Sequence, residues 1–578
     1  MKFVPCLALM LPLAVAMPAM AQTTGPRPAT SRAASPAPNP SALALYLAGN
    51  AAMGDGRYDL AEDYFSRAAD LSSGDARDTL REDAFESAVQ AGDIVRAAQL
   101  APQNTTGSQI ARQLGQLVIA VDAMAGSDPH KALTILSGTG VGQPFRTPAL
   151  MLRPWAAAAG GDKNPQIPEA PPRSDALTRL FMSYNRAMLL DFGGHADLAE
   201  PAYKDLITRA PEILEFQFSY AAFLERQGRG PDALKIYDDI LKGEDDNVRA
   251  AQGHDRVTHK RPAPPALTAK TGAAQALISS GSSALTQNDT DAAMSFFWLA
   301  LRLDPRRSDA LFAAASIQAG SGATVSARAN FDKIPKDAPE YVDARISVAE
   351  SWLTEHATDR ALATARETAS KAPNDLNAKQ SLAGFLSVAG KPQEAVRVLS
   401  EVITTKGVDA TWNLYFARAT AYNDMDDWTS AEKDLNKALS LSPDQPEVMN
   451  YLGYMWADRG EHLPQALDML QRAARAKPQE GAIIDSLGWV YFKMGDYPRA
   501  IENLEKAVEL DAADPSVNDH LGDAYLGAGR GLEALYQWQR VLTLHPEDKL
   551  KAAVTQKISR EQASPTVARA SEPAPVTP

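Results

Sequence analysis

Apolar residues recur along this chain at helical spacing rather than in strict alternation, which predicts α-helices throughout. One landmark repeats inside that pattern: a small alanine, then a bulky residue three or four positions on, then another small residue. The landmark alanines are Ala61, Ala97, Ala132, Ala199, Ala233, Ala293, Ala327, Ala361, Ala395, Ala431, Ala466, Ala500 and Ala534. From Ala293 they step by 34, 34, 34, 36, 35, 34 and 34 residues, and Ala199 to Ala233 is again 34. Self-similarity at that period predicts an array of helix–turn–helix units, each too small to bury its apolar face alone. Glycine-containing turns ("DGRYD" 55–59, "GKPQE" 390–394, "GDYPR" 495–499, "GRGLE" 529–533) separate the paired helices. Prolines such as Pro305, Pro443, Pro478 and Pro546 close several units, where they end one helix and suit the start of the next.

The strongest units carry L-G-x-x-Y, as in Leu487-Gly488-Tyr491 and Leu521-Gly522-Tyr525, followed by Ala500 and Ala534. "AAMSFFWLALRLDP" (292–305) and "AEDYFSRAADL" (61–71) fit the same scheme. This pattern resembles the tetratricopeptide repeat, over most of residues 41–546 and more weakly at 78–137. The resemblance implies an all-α fold: a right-handed superhelical solenoid of helix–turn–helix units. Gly488 and Ala500 are expected where the two helices of a unit pack closely, and Tyr491 and Leu504 between neighbouring units.

Composition sets the chain ends. Lys2, an apolar run from Phe3 to Met17 and Ala19-Met20-Ala21 read as a cleaved signal peptide, 1–21, with an uncleaved anchor as the alternative. The Pro/Ala/Ser/Thr-rich 22–40 reads as a disordered leader, and 562–578 has the same character. Between them lie an N-terminal array (41–137), an irregular Gly/Pro-rich insertion with a possible helix (138–175), a repeat pair (176–243), a linker (244–273), a C-terminal array (274–546) and a polar capping helix (547–561). The only cysteine, Cys6, falls inside the signal, so the mature chain is expected to form no disulfide, thiolate site or lipid anchor. The localisation expected is periplasmic, with no transmembrane segment in the mature chain.

A net charge of −13 argues against nucleic-acid binding, which needs a basic surface. "LTILSGTGVG" (133–142) imitates a dinucleotide loop, but Gln143-Pro144 follows where a helix must open. Ser430 with "KTG" (270–272) imitates a penicillin-binding pattern in reversed order. His254 and His259 have cations beside them and too few ligands for a metal. His520 is expected to be a hydrogen-bonding residue near an interface between units. No catalytic residue, cofactor or metal is therefore assigned, and the chain is expected not to be an enzyme.

With Gly453, Gly488 and Gly522 taken as position eight of their units, the resemblance places positions two, five, nine and twelve on the groove. The candidates for protein binding are Asn413, Phe416, Asn450, Tyr454, Asp485, Trp489, Phe492, Asp519 and Asp523. An acidic and aromatic groove would repel an acidic peptide tail and fit an extended polar or basic segment. The other reading of the same residues is ordinary packing, with the aspartates paired to nearby lysines. The block at 446–546 also resembles secreted proteobacterial repeat adaptors that dock a C-terminal-processing protease and present cell-wall hydrolases to it. A periplasmic, non-catalytic scaffold or adaptor for such proteins is the expected function, and a scaffold for exopolysaccharide synthesis or export is the alternative.

Overall fold

The structure, a computed structural model, describes residues 40–102, 108–172, 174–244 and 247–563. The expected signal peptide, nearly all of the leader and nearly all of the tail lie outside the described residues. Among those described there are 29 α-helices, one 3₁₀ turn and no strand. The chain divides into two compact units at Ser381 and Leu382.

The N-terminal unit holds α1 (Ala42–Gly54), α2 (Tyr58–Asp70), α3 (Gly74–Ala91), α4 (Ile94–Leu100), α5 (Gln109–Ala125), α6 (Pro129–Ser137), α7 (Arg146–Ala159), α8 (Ala176–Phe192) and α9 (Ala196–Arg209). It continues with α10 (Leu214–Arg226), α11 (Gly230–Gly243), α12 (Val248–Thr258), α13 (Ala269–Thr286), α14 (Thr290–Leu303), α15 (Ser308–Gly320), α16 (Thr324–Phe331), α17 (Tyr341–Thr354) and α18 (Thr358–Lys371). The dividing point falls inside α19 (Leu376–Val388). The C-terminal unit holds α20 (Pro392–Lys406), α21 (Trp412–Asn423), α22 (Trp428–Leu441), α23 (Pro446–Arg459), α24 (Leu463–Ala476), α25 (Gly481–Lys493), α26 (Tyr497–Leu510), α27 (Pro515–Gly527), α28 (Gly531–Thr543) and α29 (Asp548–Gln562).

All thirteen landmark alanines lie on the second helix of a pair and are at most 1% exposed. Several second helices start at an aspartate whose carboxylate accepts from the backbone N–H three residues on: Asp93, Asp128, Asp289, Asp427 and Asp496. Each such cap is worth about 1 kcal/mol, which fixes where the turn ends. Gly488 marks the closest approach inside a unit, because a Cβ there would sit 2.6 Å from Leu504 Cγ. Leu504 thus packs on its own unit's first helix, where it was expected to fill the gap to a neighbour. Gly488→Val is expected to destabilise the C-terminal unit by about 1–3 kcal/mol through overpacking, read as a lower urea midpoint with unchanged slope.

The N-terminal unit does not simply stack in sequence order. α13 packs on α7 and α8, and α14 packs on α3 and α5, so this hairpin covers the first helices of earlier pairs. Its composition allows this. Every residue of α13 from Gly272 to Gly281 is buried, and so is every residue of α14 from Ala293 to Ala300. The ring of the fully buried Trp155 lies where a Cβ on Gly272 would approach to 2.3 Å, and Trp298 lies 2.8 Å from the Cβ position of Gly92. Arg302 Nε donates to Asp122 (2.9 Å), Lys270 Nζ to the Ala125 carbonyl (2.7 Å) and Ser326 Oγ to the Gly56 carbonyl (2.9 Å).

Both irregular stretches become part of this packing. In 138–175 the described residues hold one helix, α7, which packs on α6 before it and on α13, more than a hundred residues later. The stretch expected to be a linker, 244–273, contains α12 and the start of α13. α12 is fixed to the preceding pair: Arg256 bonds Glu225 at 2.6 and 2.9 Å, and Gly253 lies against the Tyr237 ring. A polar network then joins α8, α10, α12, α13 and α15. Tyr184 OH bonds Ser219 Oγ (2.6 Å), Arg249 pairs with Glu215 over the Phe218 ring, and Arg307 bonds Asp309 and Gln275. Burial raises the Asp309 carboxyl, but Arg307 outweighs it and holds the group below the usual carboxylate range.

Candidate functional site

In the C-terminal unit the first helices α23, α25 and α27 lie side by side, with α25 touching both others. No later helix pair covers them among the described residues, unlike α3, α5, α7 and α8. The 34-residue register puts positions five and nine of successive units on this face.

The centre of the cluster is His520 on α27. Its ring stacks on Trp489 at 4.1 Å between centroids and 21°, and lies 6.2 Å from the Tyr454 ring. Trp489 stacks in turn on Phe492 at 4.8 Å and 16°. His520 Nδ1 is 2.9 and 3.0 Å from the two carboxylate oxygens of Asp485. Trp489 Nε1 donates to Asp458 (3.3 Å), and Lys493 Nζ lies 4.9 Å over the Trp489 ring. Lys557 of α29 donates to Asp519 and Asp523. Tyr454, Asp485, Trp489, Phe492, Asp519 and Asp523 therefore come together. Asn413 and Phe416 belong to a different set. Asn413 Oδ1 accepts from the Leu414 N–H (3.1 Å) at the start of α21, and Phe416 meets Tyr451 edge to face at 5.6 Å. The amide oxygen of Asn450 is buried without a hydrogen-bond partner in the described residues.

Burial pushes the His520 imidazolium down, but Asp485 first, and then Asp519 and Asp523, outweigh it and raise its pKa above 6.5. Burial, reinforced by Asp458, Asp485 and Asp519, pushes the Tyr454 phenol up, so it stays a neutral donor. A raised histidine stabilises the fold fully below 6.5 and loses that contribution as pH rises through the folded value. The thermal midpoint of the C-terminal unit should fall as pH rises from 6.5. His520→Gln should lower the midpoint at pH 6 and flatten the slope; an unchanged slope would remove His520 from the cause.

From the sequence, His520 is expected near an interface between units, not at the centre of the groove candidates, and Lys557 only in a capping helix. The signal was in the register: Lys557 follows Asp523 by 34 residues, and His520 follows Asp485 by 35. The look-alike motifs resolve into helix. "LTILS" lies in α6, "KTG" in α13 and Ser430 in α22. His254 and His259 sit on or just beyond α12, beside Asp238 and Asp255. Among the described residues no group of three or more His, Cys, Asp or Glu side chains is placed to hold a metal ion, and no helix is long and apolar enough to cross a membrane.

The helix pairs and their register are those of tetratricopeptide repeats, a fold that typically makes a non-catalytic scaffold for binding proteins or peptides. A Tetratricopeptide repeat family model matches residues 29–76, 184–248 and 416–481, and a TPR repeat model matches 488–529. The chain is similar, at 32% identity over 111 residues, to TPR repeat-containing protein PA4667 of Pseudomonas aeruginosa, covering 19% of this chain and 19% of that protein. It is 32% identical over 111 residues to Bacteriophage adsorption protein A of Escherichia coli, covering 19% of this chain and 11% of that protein. The matched part thus spans a fifth or less of the length of these two relatives. Among solved structures, the APC/C hetero-tetramer Cut9–Hcn1 aligns over 89% of this chain and 95% of that chain, with 17% identity and a TM-score of 0.39.

Proposed function

We propose that this chain is an exported, periplasmic adaptor that holds a segment of another protein along the first-helix face of its C-terminal unit. The observation that carries the reading is a contrast between units. In the N-terminal unit the first helices α3, α5, α7 and α8 are covered by the chain's own α13–α14 hairpin. On α23, α25 and α27 the equivalent face carries a stacked aromatic platform flanked by charged groups. Aromatic anchors beside oriented charges suit recognition of a protein segment. Export rests on the signal-like residues 1–21, with the mature chain starting at Gln22. The partners favoured by the resemblance of residues 446–546 are an envelope processing protease and cell-wall hydrolases.

A crosslinking pull-down from the periplasm tests this, comparing wild type with a Tyr454→Ala/Trp489→Ala/Asp519→Lys variant of matched helicity. The expected result is enrichment of a processing protease or wall hydrolase by wild type, and loss of at least tenfold in the variant, the scale of one hot-spot residue. Equal capture by both proteins would move the site off this face. N-terminal sequencing of the exported chain should begin at Gln22.

A further inference from the structure

α29 continues the first-helix register of the array, and no second helix follows it among the described residues. Its hold is slight: Val554 is its only buried residue, with Leu550 and Ile558 partly buried against the Trp538 region. Its most specific contact is Lys557. The ammonium lies 2.8 and 2.9 Å from the two oxygens of Asp519 and 2.7 and 2.8 Å from those of Asp523. Those two carboxylates stand four residues apart on one face of α27, so they repel each other unless a cation sits between them. The residue beside them, His520, stacks on the buried Trp489 and through it on Phe492. Lys557 Nζ also lies 5.7 Å from the centroid of the Trp538 ring, so the cation position is flanked by an aromatic ring as well as by the two carboxylates.

We infer that Asp519 and Asp523 form a cation subsite of the groove, that Lys557 is its tethered occupant, and that a partner segment binds by putting a lysine or arginine in its place and loosening α29. This rests on the groove reading given above. It adds the chemistry of the partner, a basic extended segment, and a built-in competitor. A tethered occupant lowers the apparent affinity of an outside ligand by the fraction of time the subsite is filled. Selectivity follows as well, because an acidic segment would face the same two carboxylates with no gain.

The test uses the full mature chain and two fluorescein-labelled Gly/Ser peptides that differ only in a central Leu-Lys-Leu or Leu-Glu-Leu, read by fluorescence anisotropy. Lys557→Met is expected to bind the lysine peptide about tenfold tighter than wild type, and Lys557→Arg to stay near wild type. Adding Asp519→Asn and Asp523→Asn to Lys557→Met should abolish the gain, and the glutamate peptide should gain nothing. In the unmutated chain, saturating lysine peptide should speed hydrogen exchange across 548–562, a readout that needs no variant to fold. The inference is overturned if Lys557→Met binds the lysine peptide no tighter than wild type, if both peptides gain alike, or if exchange in α29 does not change. If these fail while the periplasmic pull-down still depends on Tyr454 and Trp489, the groove stands without a cation subsite; if both fail, the groove reading falls too.

Discussion

Trp155→Ala is expected to lower the stability of the N-terminal unit by about 4 kcal/mol, most of the range seen for removing a fully buried large ring. Trp155 is 0% exposed and joins three helices. It sits on α7, packs edge to face on Phe192 of α8 at 5.7 Å, and fills the space above Gly272 of α13. Its Nε1–H donates to Asn185 Oδ1 at 2.7 Å, so alanine also leaves a buried acceptor without that donor. The change should appear in urea unfolding followed by far-UV circular dichroism, and as faster exchange in α7, α8 and α13 together. Trp155→Phe keeps most of the ring and should cost far less. A loss below about 1 kcal/mol in Trp155→Ala would mean that the site collapses freely and that the hairpin's packing there is not cooperative.

Asp434→Ala should cost the C-terminal unit about 3–5 kcal/mol, because it strands a mostly buried guanidinium. Arg418 on α21 makes a two-pronged contact with Asp434 on α22, at 2.7 and 2.9 Å, and also donates to Ser400 Oγ at 3.0 Å. The side chains are only 17% and 6% exposed, so water cannot replace the lost partner. α21 carries Asn413 and Phe416, so the same variant should loosen that part of the unit. The double change Arg418→Met/Asp434→Leu removes both charges and should recover most of the loss. If the single variant unfolds no earlier than wild type, the pair is not holding α21 to α22.

The alanine landmarks were legible because each marks a helix crossing inside a unit, a contact between residues close in sequence. Period and small-residue placement therefore gave the pairs, the turns and the buried faces of thirteen second helices. The same register identified Asp485, Trp489, Asp519 and Asp523 as neighbours on one surface, since positions five and nine of adjacent units face the same way. Where a contact broke the period, the sequence was silent. α12 looked like linker because its apolar content is low, yet Arg256 and Glu225 hold it with charges. α7 read only as a possible helix in an irregular insertion, because one of the helices it packs on, α13, lies far along the chain.

By itself, then, the sequence determined an all-α repeat array and the register that lines up one face of it, because a 34-residue period encodes contacts between adjacent helices and adjacent units. Only the tertiary structure decided that α13 and α14 cover the first helices of the N-terminal unit, and that Lys557 sits between Asp519 and Asp523. α13 and α14 have an ordinary repeat pattern, and what sends them back is shape: Gly272 lets the Trp155 ring approach α13, and Gly92 admits Trp298 of α14. A period records which residues are small; the surfaces that come to fill the space beside them are set by the folded chain.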